Sequence, residues 1–153
     1  MVESSEIKII EFILGSQAFG IHIFNIASVI ELPEVTNLPK TPEFLEGIIN
    51  IRGTIIPIVD LKKRFLLPEI DLKKKRKALI INFETRDIGL IVDEVKGVMT
   101  LDTLEIDTST DMENMGINLE YIEGIAKLKD RLIIILKTSK ILSIKETEIV
   151  GKI

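Results

Sequence analysis

The sequence predicts a mainly β protein made of two similar halves, and three observations predict it. The chain repeats itself: residues 44–65, FLEGIINIRGTIIPIVDLKKRF, align without a gap on residues 121–142, YIEGIAKLKDRLIIILKTSKIL, with Phe44 on Tyr121 and Glu46–Ile48 on Glu123–Ile125. A fainter echo sets Phe19-Gly20-Ile21 on Ile88-Gly89-Leu90, Ile26 on Val95 and Val29 on Val98. Thirty of the 153 residues are isoleucine, against six Phe, one Tyr and no Trp. β-Branched side chains are stiff at χ1 and suit a pleated surface, so the core is aliphatic and built on strands. Short apolar runs are also punctuated by turn residues every 8–12 positions or so, the spacing of small barrels or of a sandwich. Closing a sheet removes free edges, which matters in a chain this rich in isoleucine. Two like units side by side offer partners a groove and two ends, but no catalytic site.

The elements follow in order. Ile7–Leu14 and Ala18–Ile23 are strand-like and flank a turn at Gly15-Ser16-Gln17, which makes a hairpin. Ile26, Val29 and Ile30 are spaced as in a helical turn. Pro33, Pro39 and Pro42 make residues 32–42 an extended connector. Gly47–Ile51 and Thr54–Val59 form a hairpin around Arg52-Gly53, with Pro57 expected on an edge strand or a bulge. Asp60 is placed to cap a short helix over Leu61–Phe65, with basic residues near its C-terminal end. Residues 66–77 read as a polar linker. The pattern restarts with strands at Ala78–Phe83 and Ile88–Val92, then Gly97–Leu101. Residues 102–120 are polar and acidic and read as a long loop. Tyr121–Leu128 and Leu132–Leu136 form the second hairpin around Lys129-Asp130-Arg131, and Thr138 or Ser139 would cap a last helix through Ile149. The count is about ten strands, two helical turns and a C-terminal helix.

Composition narrows the function classes. A net charge of −4 argues weakly against nucleic acid. With no cysteine, disulfides, thiolate metal sites and thiol nucleophiles are excluded. The N-terminal MVESSEIKII lacks the basic start of a secretion signal, and no stretch approaches the roughly 18 apolar residues that cross a bilayer. A soluble intracellular protein is the expectation. His22 is the one histidine, in the alternating strand GIHIF, and is expected to face solvent; a catalytic base would need a positioned partner. The carboxylates of 102–120 match no calcium loop, because Gly116 and Glu120 miss the required positions. No phosphate loop or dinucleotide fingerprint is present. No catalytic residue, metal or cofactor is therefore expected. The basic run Lys73–Lys77 lies in a linker without interleaved aromatics, so a solvated loop is favoured over a phosphate-binding patch.

Arg52 is different. It stands among Ile49, Ile51, Ile55 and Ile56 beside the turn glycine. One reading is that it keeps a hairpin tip soluble. The other is a rigidly mounted guanidinium that grips a partner's carboxylate or carbonyls, with Asn50 supplying an adjacent donor and acceptor.

These residues carry a family resemblance. The stretch T-x-L-P-x-T-P-x-F-L-x-G-I-I-N-I-R-G-x-I-I-P-I-V-D-L from Thr36 to Leu61 resembles the CheW family of chemotaxis adaptors. So do F-G-I-x-I-F-x-I-x-x-V-I from Phe19 and Y-I-x-G-I-A-K-L-x-D-R-L-I-I-I-L from Tyr121. The resemblance covers most of residues 7–145. It implies one CheW-like domain made of two five-stranded Src-homology-3-like barrels related by a pseudo-twofold, with repeat halves of about 7–72 and 78–145 and strands free to cross between lobes. It implies a cytoplasmic, non-enzymatic scaffold that couples chemoreceptor tips to the regulatory domain of the histidine kinase CheA, with no nucleic acid and no insertion into the membrane. Carried over by position, receptor binding falls to Ile26, Gly47, Asn50, Arg52 and Gly53, in a groove between the lobes. Kinase binding falls to barrel ends around Gly97, Val98 and Met99. Many relatives are acidic where this chain has Ser28, so a salt link there is not expected. No receiver-length or kinase-like extension accompanies the domain, which favours a stand-alone adaptor. The alternatives are a CheW-like regulatory fragment of a larger chemotaxis protein and a nucleic-acid-binding small barrel.

Overall fold

The computed structural model describes residues 5–67, 75–108 and 119–151. Among these residues eleven strands run in the order β1 (Glu6–Leu14), β2 (Gln17–His22), β3 (Ile26–Glu31), β4 (Leu45–Ile51), β5 (Thr54–Asp60), β6 (Lys77–Phe83), β7 (Arg86–Val92), β8 (Glu94–Asp102), β9 (Ile106–Asp107), β10 (Ile122–Lys127) and β11 (Leu132–Leu136). Helix α1 (Leu61–Arg64) follows β5, and helix α2 (Ile144–Gly151) follows β11. One sheet has the order β8-β1-β2-β11-β10-β9 and the other β3-β6-β7-β5-β4. We call them the terminal and the middle lobe. Each has five long strands, and the two-residue β9 of the terminal lobe has its counterpart in a single bridge from Thr36 to Ile48 in the middle lobe. These are the two Src-homology-3-like barrels, and their strands do cross: the hairpin β1–β2 of the first repeat sits among strands of the second, while β6–β7 sits among strands of the first.

The pseudo-twofold is visible in register, residue by residue. Parallel pairing sets Ile135 opposite Gly20 in one lobe and Ile58 opposite Gly89 in the other. The bulge at Glu11/Phe12 against β8 matches the one at Ile26/Ser28 against β6. The irregularity at Leu45/Gly47 matches that at Ile122/Gly124. A bulge adds one residue to one strand and flips its alternation. That is why Ile26, Val29 and Ile30 imitate a helical period although they lie in strand β3, and the expected helical turn is corrected accordingly.

Each lobe wraps a small aliphatic cluster of its own: Ile9, Ala18, Leu101, Ala126, Ile133 and Ile135 in the terminal lobe, and Ile49, Ile56, Ile58, Ala78, Ile80 and Ile91 in the middle lobe. A larger shared cluster lies between the lobes and takes the opposite faces of the same strands, including Phe12, Leu45, Val59, Leu90 and Leu136. Its aromatics form a ladder. Phe12 stacks on Phe19 at 5.9 Å, Phe19 on Phe65 at 6.0 Å, and Phe65 meets Tyr121 at 5.3 Å. Burying both faces of a strand requires an unbroken apolar run rather than an alternation, which is how Leu79–Ile81 and Ile133–Leu136 read.

Two further expectations are adjusted. β5 is an inner strand, but its pairing with β7 starts at Ile58, so Pro57 interrupts no bond there. The last helix begins at Ile144. Thr138–Lys140 is a separate 3-10 turn without a side-chain cap, and Ser143 caps α2 through a reciprocal pair with Glu146 (2.8 and 3.2 Å). Within the long polar segment, Asp102 and Glu105 form a capping box ahead of β9; residues 109–118 lie outside the described residues, as do Lys73 and Lys74 of the basic run.

Candidate protein-interaction site

The hairpin β4–β5 carries Asn50, Arg52 and Gly53 at its tip. Ile51 pairs with Thr54, which leaves a two-residue turn in which Arg52 (φ 50°) and Gly53 (φ 87°) are both left-handed. This is the primed turn that matches strand twist, and it normally demands Asn or Gly at its first position. Asn50 supports it: Oδ1 accepts the Gly53 amide at 2.9 Å. The Asn50 acceptor therefore serves the turn, and its NH2 is the group left for a partner. Arg52 is exposed and makes no ion pair among the described residues.

Arg52 stands on the rim of a cavity of about 250 Å³ whose floor is Ile56 and Ile80 and whose rim includes Ser28, Thr54 and Asp87. All of these belong to the middle lobe. The cavity is the mouth of one barrel, and the space between the lobes is filled by the shared core. Ser28 brings no charge to it, while Asp87 does. Gly47 and Ile26 do not line this cavity. Gly47 is buried, and a side chain there would run into the Thr36 carbonyl, whose residue exchanges two 2.9 Å bonds with Ile48. Ile26 is half-buried against the shared core.

Gly97, Val98 and Met99 lie on β8, one of the two end strands of the terminal-lobe sheet, next to β1. Val98 is 59% exposed, Met99 packs on the terminal-lobe cluster, and Gly97 (φ 119°) opposes Glu11 at the bulge. Ser28 and Gly97 occupy equivalent bulge positions in the two lobes. The five residues expected at the receptor site thus lie in the middle lobe, and the three expected at the kinase site in the terminal lobe.

Several polar contacts have no trace in sequence motifs. The three basic residues of α1 reach three different elements: Lys62 bonds Asp93 at 2.8 Å, Lys63 bonds Glu46 at 3.0 Å, and Arg64 grips Glu146 through both terminal nitrogens (2.6 and 2.8 Å). Arg64 also lies between the repeat-related rings of Phe44 and Tyr121, 5.1 and 5.2 Å from their centres, and donates to the carbonyl of Ile141, its own repeat equivalent. Glu11, buried inside the terminal lobe, is held by Arg131 at 2.8 and 2.9 Å, and this bond raises the guanidinium further above its ordinary range. A glutamate inside the run IIEFIL was the available signal for that pair. His22 does not point freely into solvent: its Nε2 meets Glu123 at 2.7 Å and its ring lies 5.2 Å from Phe24. In the basic run, Arg76 faces Asp60 at 3.7 Å and Lys77 faces Glu31 at 3.5 Å, so these two cations answer carboxylates of the same chain. Among the described residues, no cluster has the composition of a metal site.

The CheW-like domain model matches residues 8–146. The chain belongs to the CheW-like domain family. It is 30% identical to the chemotaxis protein CheW of Klebsiella aerogenes over 142 residues, covering 93% of this chain and 85% of that one. It is 33% identical to the chemotaxis protein CheW of Thermotoga maritima over 137 residues, covering 90% and 88%. The crystal structure of the scaffolding protein TtCheW from Thermoanaerobacter tengcongensis superposes with a TM-score of 0.79 at 39% identity, covering 87% of this chain and 90% of that one. The family is one of non-catalytic scaffolds, and the role of this member is that of a chemotaxis adaptor rather than an enzyme. No helix among the described residues is long and apolar enough to cross a membrane.

Proposed function

We propose that this adaptor couples the cytoplasmic tips of chemoreceptors to the histidine kinase CheA, and that it works in the cytoplasm beside membrane-bound receptor arrays. The observation that carries this reading is the left-handed Arg52-Gly53 turn. A strained turn pinned by Asn50 holds a permanent cation at the lip of an apolar-floored mouth, a geometry suited to one acidic or carbonyl-bearing feature on a receptor helix. The kinase regulatory domain is assigned to the other lobe, through the exposed edge around Gly97, Val98 and Met99. A shift in receptor geometry then changes kinase output only to the extent that it favours one arrangement of the ternary complex.

Arg52→Glu tests the reading. The side chain is exposed, so folding is retained; receptor binding is expected to weaken by about 2 kcal/mol, roughly thirtyfold. Undiminished kinase activation by receptor in a reconstituted array containing this variant rules the proposal out. Val98→Asp should instead weaken capture of the kinase regulatory domain and leave receptor binding intact.

A further inference from the structure

The internal repeat lets one half of the molecule serve as a reference for the other. Beside α1, Lys62 runs under the β1–β2 turn with its side chain 5% exposed. Its ammonium meets Asp93 Oδ1 at 2.8 Å, while Asp93 Oδ2 accepts the Gly15 amide at 2.7 Å. The lysine, the acid and the turn together fill this corner of the molecule.

The equivalent corner lies beside the 3-10 turn Thr138–Lys140, under the β6–β7 turn. Here Ser139 replaces Lys62, Phe24 replaces Asp93 and Glu84 replaces Gly15. The turn backbone is the same, with φ of 58° at Glu84 and 63° at Gly15. Phe24 does not fill the space; it lies 79% exposed beside His22. What is left is a hollow of about 220 Å³ lined by Asn25, Asn82, Phe83, Glu84, Thr138 and Ser139. Two amides, two hydroxyls and one carboxylate surround it. Among the described residues, no cation of the chain pairs with Glu84, although Lys137 and Lys140 flank the turn.

We propose that this hollow is a socket for a lysine side chain presented by a partner protein. The acid has moved from the crossover to the turn, and the chain's own lysine is gone. A compact ammonium with three donors fits acceptors spread around a small space, whereas a planar guanidinium prefers a paired fork. Phe83, buried on one wall, suits the methylene stem. The socket lies apart from the Arg52 tip and from β8, and it stands whether or not the receptor assignment does.

The test uses the full chain and the probe Nα-acetyl-lysine-N-methylamide, followed by amide shifts in two-dimensional NMR. Saturable shifts are expected around residues 82–84 and 138–139, with binding at least tenfold weaker for the norleucine analogue that lacks the ammonium. Glu84→Gln, an exposed and isosteric change, should also weaken binding at least tenfold. Ser139→Lys, which restores the chain's own lysine, should abolish it. Absence of saturable shifts in the wild type overturns the proposal, and so does equal binding of the norleucine analogue, or binding that survives unchanged in either variant.

Discussion

The two lobes share strands, registers and bulges, yet they finish their corners differently. The mouth of the terminal lobe is closed by its own Arg131 reaching Glu11. At the equivalent positions the middle lobe has Thr54 and Ile80, and the mouth stays open beside Arg52. Lys62 and Asp93 fill one crossover, while its counterpart at Ser139 and Phe24 is a hollow. A third pair is open in both lobes but differs in lining: Glu31, Glu34, Glu46, Lys75 and Arg76 around the middle-lobe cavity, Ile7 and Ile106 with His22 and Glu123 around the terminal one. After duplication, the backbone solution has been kept and side chains at matched positions have diverged. Ion pairs seal one copy of a feature where the other copy is left available.

The largest expected effect comes from unsealing a filled corner. Lys62→Met leaves Asp93 without its cation, and urea denaturation should show a loss of about 3 kcal/mol, at the low end for a broken buried pair because Asp93 keeps the Gly15 bond and some solvent. A loss no larger than that of a surface substitution would mean the two corners are energetically alike.

Glycines at matched positions give the next contrast. Gly47→Ala drives a side chain into the backbone carbonyl of Thr36 at a φ of 155°, and should cost about 2 kcal/mol. Gly124→Ala meets the Ile106 Cγ2 methyl at 2.6 Å and the Asp107 carbonyl more loosely at 3.1 Å, with no left-handed φ to add strain, so about 1 kcal/mol is expected. Thermal midpoints of the two variants in one buffer decide the order, and a reversed order would show that the Thr36 bridge yields more easily than a side chain does.

Smaller again is the contrast between turns. Arg52-Gly53 is left-handed at both positions, while the equivalent Lys129-Asp130 is at neither. Gly53→Ala should therefore destabilise by about 1 kcal/mol, and Asp130→Ala by no more than a few tenths. Least of all should be the double change Glu11→Ile with Arg131→Thr, which copies the middle-lobe residues into the terminal lobe. Replacing a buried pair by residues of the sister site is close to neutral, so its unfolding midpoint should match or exceed the wild type, whereas Arg131→Thr alone should be clearly worse. If single and double changes are equally harmful, the pair is not an interchangeable seal.

The hairpins, the α1 cap at Asp60 and the hairpin tip at Arg52 were legible because they rest on local chemistry: apolar runs, a turn glycine and an acid placed before a short helix. The strand β3 imitates a helical period in the sequence because a bulge alters its alternation, and a bulge is set by the partner strand. The start of α2 was misplaced because Thr138, Ser139 and Ser143 are all good caps, and only packing selects Ser143. In the sequence Asn50 looks wholly available to partners, but one half of its amide is spent on its own turn.

What the residues dictate without help is the repeat, the aliphatic character of the interior and the presence of one cation on a tight turn, since these depend on neighbours a few positions apart. That the hairpins change places between lobes, that Arg64 sits between Phe44 and Tyr121, and which corners are sealed or hollow depend on groups many tens of residues apart. Such pairings form only when the chain closes, because an ion pair between distant segments has no local signature until burial removes the water that would otherwise satisfy each charge.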